Sequence, residues 1–110
     1  MSGAGLIWTS FADEDSAAVV ADTLLDEGLI ACCNMMPVRS RYVWNGERGA
    51  GEEIGALFKT RADLLVRAVA RLEELHPYEA PAIAGWICDA AGQGTLGWLA
   101  GIGPHGPRPI

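Results

Sequence analysis

One four-residue segment, His76-Pro77-Tyr78-Glu79, places an imidazole, a rigid turn, a phenol and a carboxylate directly after an amphipathic helix pattern. A neutral imidazole binds borderline metals such as copper, and the carboxylate three residues later could supply a second ligand. The alternative is structural: His76 bonds the last carbonyl groups of the helix, Tyr78 packs, and Glu79 holds the turn. Taken alone, these residues favour the structural interpretation.

Three cysteines are the other candidate metal ligands: Cys32, Cys33 and Cys88. Their odd number and the lack of Cys-x-x-Cys spacing argue against a disulfide scaffold or a four-ligand zinc site. Neighbours on an extended segment point to opposite faces of a sheet, so Cys32 and Cys33 cannot share one metal. We therefore expect at most one of them to join a metal site, and buried thiols such as Cys33 and Cys88 to pack as small apolar side chains.

A second candidate site is a ligand cleft lined by Tyr42, Trp44, Lys59 and Tyr78. Tyr42 and Trp44 point to the same side of an extended segment, and Lys59 lies on the returning strand. Stacking surfaces and one cation would bind a small anionic or planar ligand. The alternative, which these residues favour, is a cross-strand aromatic pair that stabilises the hairpin while Lys59 stays solvated.

Composition limits the class of protein. A length of 110 residues indicates one domain, and a formal net charge of -6 argues against a nucleic-acid partner. No apolar run approaches the roughly 20 residues that a membrane span needs, and the basic start of a secretory signal is missing, so we expect a cytoplasmic location. No Gly-x-Ser-x-Gly elbow is present, and the only histidine besides His76 is His105 in a proline-rich tail. We therefore expect no enzymatic activity.

Alternating periodicities predict the elements that position these residues. The predicted order is βαββαβ with a short C-terminal helix, an α+β, ferredoxin-like antiparallel sheet with both helices on one face. Thr60 is predicted to cap the second helix, and Pro37 to mark a bend or a sheet edge. The predicted segments are strands 6–11, 30–46, 53–60 and 82–88, a turn at 47–51, helices starting at 13, 60 and 95, and a flexible tail at 103–110.

The predicted strands are apolar in both registers. In the third strand Ile54, Ala56 and Phe58 alternate with Leu57, which is also apolar. Two helices cover only one face of such a sheet, so the second face needs another cover. Self-association is the simplest one.

Four motifs occur in one order along the chain: Ala31-Cys32-Cys33-Asn34, Tyr42-x-Trp44-x-Gly46, Lys59-Thr60 and the His76 segment. Together they resemble the CutA divalent-cation tolerance family, over residues 6–99. The resemblance implies a homotrimer whose hairpins pair between subunits, a role in divalent-cation tolerance, and weak binding of copper or another divalent ion.

The resemblance also implies candidate metal ligands, namely Cys32, His76 and Glu79. Two alternatives stay open: a small-ligand signalling trimer similar to the PII regulators, and a purely structural or interaction trimer. The chain departs from the family pattern at Ala82, where a glutamate is common, and at Thr95, where a tyrosine is usual. Each departure removes a polar side chain near the expected cleft.

Overall fold

The computed structural model describes residues 3–104, which form four strands and three α-helices. The sheet is antiparallel throughout, with strand order β2-β3-β1-β4. This confirms the predicted α+β, ferredoxin-like arrangement. The last six residues of the predicted tail, 105–110, lie outside the described part. The elements are β1 (Ala4–Phe11), α1 (Glu14–Asp26), β2 (Cys32–Trp44), β3 (Glu47–Arg61), a 3-10 turn (Ala62–Leu64), α2 (Leu65–Leu75), β4 (Ala84–Ile87) and α3 (Gln93–Ala100).

The core lies between the sheet and the apolar stripes of α1 and α2. Phe58 in β3 and Phe11 in β1 are completely buried there. Asp13 caps α1, because its carboxylate accepts a hydrogen bond from the amide of Ser16. Gly28 ends the turn after α1 with φ +73°, and a Cβ there would clash with the carbonyl oxygen of Gly103. None of the helices within residues 3–104 is long and apolar enough to cross a membrane.

The β2–β3 hairpin is longer than the sequence suggests. Asn45 and Gly46 have φ angles of 53° and 78°, which form a two-residue hairpin turn, so the prediction of a turn at 47–51 is wrong. Pro37 lies within an unbroken edge strand, where its missing amide costs no hydrogen bond inside the sheet. We call residues 38–53 the arm, because β1 stops at Phe11 and does not extend beside them. The radius of gyration is 14.9 Å, against about 13 Å for a compact chain of this length.

The prediction that Thr60 caps α2 is also wrong. Thr60 is completely buried in β3, and its hydroxyl donates to the carbonyl of Leu29 at 2.7 Å. A 3-10 turn separates it from α2, whose first residue is Leu65, and no side chain caps that helix. The hydroxyl therefore satisfies a buried loop carbonyl rather than a helix end.

Replacing Thr60 with Val is expected to lower the free energy of unfolding by about 2 kcal/mol, because the Leu29 carbonyl would be left buried without a partner. The matched control is Thr23→Val. That hydroxyl bonds the Val19 carbonyl at the surface of α1, where water can replace it, so the loss should stay below about 0.5 kcal/mol. Urea unfolding followed by circular dichroism measures both. Equal losses would contradict this account of Thr60.

The second face of the sheet is partly covered by α3, which packs against β1 and β3. The guanidinium of Arg61 donates to the carbonyls of Ala100 and Ile102 and holds the end of this helix. On the part of this face that α3 does not cover, large apolar side chains are exposed. Among them are Met36, with 38% of its surface exposed, and Trp86, with 45%. Two-sided apolar strands are thus confirmed, and residues 3–104 leave part of this surface uncovered.

Candidate functional site

The segment after α2 is anchored on the end of β1. The His76 ring is only 6% exposed and stacks on Phe11, with 4.3 Å between ring centroids and 5° between planes. Its Nε2 lies 2.8 Å from the backbone oxygen of Ser10. The amide of Tyr78 donates to its Nδ1 at 3.1 Å. Pro77, whose ring fixes φ at about −65°, lies between the two residues of this last contact.

These two hydrogen bonds fix the protonation state of His76. A ring nitrogen that accepts from an amide carries no proton, so the proton is on Nε2, which donates to Ser10. Burial lowers the pKa of His76, although the Ser10 carbonyl and the nearby Glu53 carboxylate act in the opposite direction. The imidazole is therefore neutral, and both of its nitrogens are in use.

Tyr78 connects this segment to the base of the arm. Its hydroxyl donates to Oε2 of Glu53 at 2.6 Å. Burial and the bond to Glu53 both raise the pKa of Tyr78. Burial alone would raise the pKa of Glu53, but the hydroxyls of Ser40, Tyr78 and Ser10 outweigh it and lower the pKa below its usual value. Glu53 is thus a carboxylate that accepts from hydroxyl groups.

An open cleft of about 490 Å³ lies between the start of α1 and the base of the arm. Its carboxylates come from Asp13 and Glu14 at the start of α1 and from Glu52 and Glu53 in β3. Arg39 is the one cationic side chain of its lining. This excess of negative charge disfavours an anionic ligand.

Cys32 lies at the other end of the sheet from His76. It pairs with Lys59 in β3, whereas Ser10, the partner of His76, pairs with Gly55. Four residues of strand separate these positions, or about 14 Å. Cys33 points to the opposite face, packs against the core, and has its pKa raised to about 12 by burial and by the neighbouring Cys32. The predicted division between the two cysteines is thus observed.

Copper does not fit the candidate ligands within one subunit. Glu79 is exposed, while Cys32 and His76 are far apart along the sheet. Within residues 3–104, no group of three or more His, Cys, Asp or Glu side chains is placed to hold a metal ion. The ring nitrogens of His76 are also engaged by Ser10 and Tyr78. A metal site that used all three ligands would have to draw on more than one subunit.

The candidate aromatic cleft is likewise not assembled within one subunit. Tyr42 lies opposite Gly49, where its ring covers the space that a side chain would fill. Trp44 lies opposite Glu47 near the tip of the arm. Lys59 is ten residues from Gly49 along β3, which corresponds to about 34 Å. The arm residues therefore form a cross-strand aromatic surface that Lys59 does not reach.

Sequence reasoning missed Glu53, Ser10 and Ser40 as parts of the site around Tyr78. Glu53 was assigned only as the start of a strand, and 25 residues separate it from Tyr78. The sequence contains one signal for Glu53. A carboxylate at the start of a largely apolar strand is unusual, and it needs a hydrogen-bond donor where it is partly buried. The sequence did not indicate which partner that would be.

Known proteins are similar to this chain in sequence and in fold. Residues 5–101 match the family model described as CutA1 divalent ion tolerance protein. The Divalent-cation tolerance protein CutA of Pyrococcus horikoshii is 43% identical over 94 residues, which cover 86% of this chain and 92% of that protein. The crystal structure of CutA1 from Ehrlichia chaffeensis superposes with a TM-score of 0.84 at 30% identity, covering 91% of this chain and 94% of that one.

A third structure, from Archaeoglobus fulgidus, is described as a periplasmic divalent cation tolerance protein. It has a TM-score of 0.82 and 25% identity, and the alignment covers 88% of this chain and 95% of that one. The family match spans nearly the whole chain, and both the sequence and the fold support it. The chain therefore belongs to the CutA1 divalent ion tolerance family.

Proposed function

We propose that this protein acts in divalent-cation tolerance as a cytoplasmic homotrimer that binds copper weakly. The observation that carries the proposal is the family match over residues 5–101. The role is one of binding rather than catalysis. Because the Archaeoglobus fulgidus relative is described as periplasmic, the location needs its own test, which is fractionation of the cells that produce the protein.

Exposed apolar surface supports the trimer. The arm exposes Tyr42, Val43 and Trp44 by 50%, 68% and 49%, and the edge strand β4 exposes Trp86 and Ile87 by 45% and 52%. Within residues 3–104, both edges of the sheet also present unpaired backbone groups, which favour pairing with another chain. Contacts between the arm of one subunit and a neighbouring subunit would cover such surfaces.

Copper is proposed to bind between subunits, with the Cys32 thiolate of one chain near the loop that carries His76 and Glu79 of another. Thiolate and imidazole ligands favour copper over magnesium or calcium, which prefer oxygen ligands. Copper would have to compete with the Tyr78 amide for Nδ1 of His76, which is consistent with weak binding.

Native mass spectrometry with added Cu(II) tests assembly and binding together. We expect three chains per particle, and Cys32→Ser and Glu79→Gln should each weaken copper binding at least about tenfold. Cys88→Ser is the matched control, since it also removes one thiol and should leave the affinity unchanged. Equal affinity in all three variants would exclude this site.

A purely structural trimer is the second candidate, because both nitrogens of His76 already have partners. It predicts the same three-chain particle with no copper bound. The two candidates therefore differ in one measurable quantity, the copper content of the trimer.

A further inference from the structure

The four-stranded sheet ends and the two-stranded arm begins at one point of β3. Ile54 still has β1 beside it, because it pairs with Phe11. Glu53, the next residue toward the arm, pairs only with Val38 of β2. From here to the turn, β3 has a single neighbouring strand. A two-stranded ribbon is marginally stable by itself, so the order and direction of the arm depend on contacts at its base.

We propose that Tyr78 is a positioning residue that braces the arm against the body of the protein through its hydrogen bond to Glu53. The hydroxyl lies 2.6 Å from Oε2 of Glu53. The Tyr78 hydroxyl belongs to neither strand of the arm, whereas the backbone of β3 within the arm pairs with β2. The contact therefore restrains the ribbon as a unit rather than one strand against the other.

The brace is rigid because the segment behind Tyr78 is fixed. The buried His76 ring stacks on Phe11, the last residue of β1, and bonds the Ser10 carbonyl. The Tyr78 amide in turn bonds Nδ1 of His76, and the two rings lie 4.8 Å apart. The end of β1, the end of α2 and the base of the arm are thus connected through three consecutive residues.

Glu53 is suited to receive this brace. Its carboxylate is influenced by hydroxyls from three places, namely Ser10 on β1, Ser40 on β2 and Tyr78 on the loop. Hydrogen bonds to an ionised carboxylate are stronger than those between neutral groups. The hydrogen bond from Tyr78 joins this carboxylate, at the base of the arm, to the loop after α2.

The His76-Pro77-Tyr78 segment thus has a mechanical role that does not require a metal. Its consequence for assembly rests on the proposed function, because the arm influences trimer formation only if it contacts neighbouring subunits. A braced arm is held ready for that contact, so less conformational entropy is lost when subunits associate.

Hydrogen–deuterium exchange of the whole protein tests the brace. In Tyr78→Phe we expect peptides from residues 38–53 to exchange about tenfold faster, because a hydrogen bond to a charged group is lost. Peptides from β1 and from residues 54–61 should be unchanged. Glu53→Ala, which removes the acceptor, should give the same pattern, whereas Glu53→Gln keeps an acceptor and should recover much of the protection.

Tyr42→Phe is the matched control, because it removes the hydroxyl of the only other tyrosine in the chain. It should leave exchange in the arm at the wild-type rate. Unchanged exchange in Tyr78→Phe, or faster exchange spread evenly over the whole chain, would overturn the brace. A wild-type protein that is monomeric by native mass spectrometry would instead contradict the proposed trimer, and the exchange comparison would still decide on the brace.

Discussion

Replacing Phe58 with Glu is expected to prevent folding. Phe58 is completely buried in β3, in contact with the apolar faces of the helices. The substitution removes an aromatic side chain worth about 3–5 kcal/mol and adds the cost of burying a carboxylate. Together these approach or exceed the total stability of a small domain, about 5–15 kcal/mol. Circular dichroism and size-exclusion chromatography should show an unfolded or aggregated chain.

The same substitution at Trp44 is expected to leave the chain folded and to weaken the proposed trimer. Trp44 is 49% exposed near the tip of the arm, away from the core. A Glu there would face Glu47 across the hairpin, a like-charge pair that costs about 0.2–1 kcal/mol within one chain. Analytical ultracentrifugation should show a smaller particle with native secondary structure. A fully native trimer in Trp44→Glu would contradict a role of this surface in assembly.

The contrast between Phe58 and Trp44 shows which parts of the fold were predictable from the sequence. Alternation in β3 and the apolar stripes of the helices determine which side chains are buried, and those features predicted the ferredoxin-like fold. Element ends were less predictable. A threonine before a helix is compatible with a cap, but a buried carbonyl of Leu29 competed successfully for the hydroxyl of Thr60. The hairpin turn lies earlier than predicted because Asn45-Gly46, a common two-residue turn, reverses the chain before the glycines at 49 and 51.

The candidate site was predictable only in its local part. The sequence identified His76 and Tyr78, and it offered a structural alternative in which the imidazole bonds the end of its own helix. The actual partner is the carbonyl of Ser10, 66 residues away. Strand register determines that pairing, and it also separates Cys32 from His76 along the sheet. Contacts of this kind depend on the three-dimensional arrangement of elements rather than on local spacing.

Replacing His76 with Ala is expected to lower the free energy of unfolding by about 3–5 kcal/mol, which is the usual cost of truncating a buried aromatic ring. The change removes the stack on Phe11 and both hydrogen bonds of the ring. His76→Phe keeps a ring on Phe11 and should lose less. Guanidinium unfolding in the presence of a chelator measures both values without a contribution from bound metal. An Ala variant as stable as the wild type would contradict the structural role of His76.

The same histidine should make stability depend on pH in a defined window. Burial lowers the pKa of His76 below its value of 6.5 in the unfolded chain, so the unfolded state binds more protons just below pH 6.5. Stability is therefore complete above pH 6.5 and should fall as the pH decreases, by no more than about 1.4 kcal/mol per pH unit. The pKa of Glu53 is also lowered, but from 4.5, so its contribution is lost at lower pH.

The free energy of unfolding, measured between pH 7.5 and 5, isolates the contribution of His76 to the pH dependence of stability. The wild type should lose stability over this range, and His76→Phe, which cannot take up the proton, should not. His105→Gln removes the only other imidazole of the chain and should behave like the wild type. A pH dependence that persists in His76→Phe and disappears in His105→Gln would contradict the prediction, because His105 rather than His76 would then be the titrating group. The expected result means that the neutral imidazole of His76 helps to hold the end of β1 to the base of the arm. Its ring packs between those of Phe11 and Tyr78.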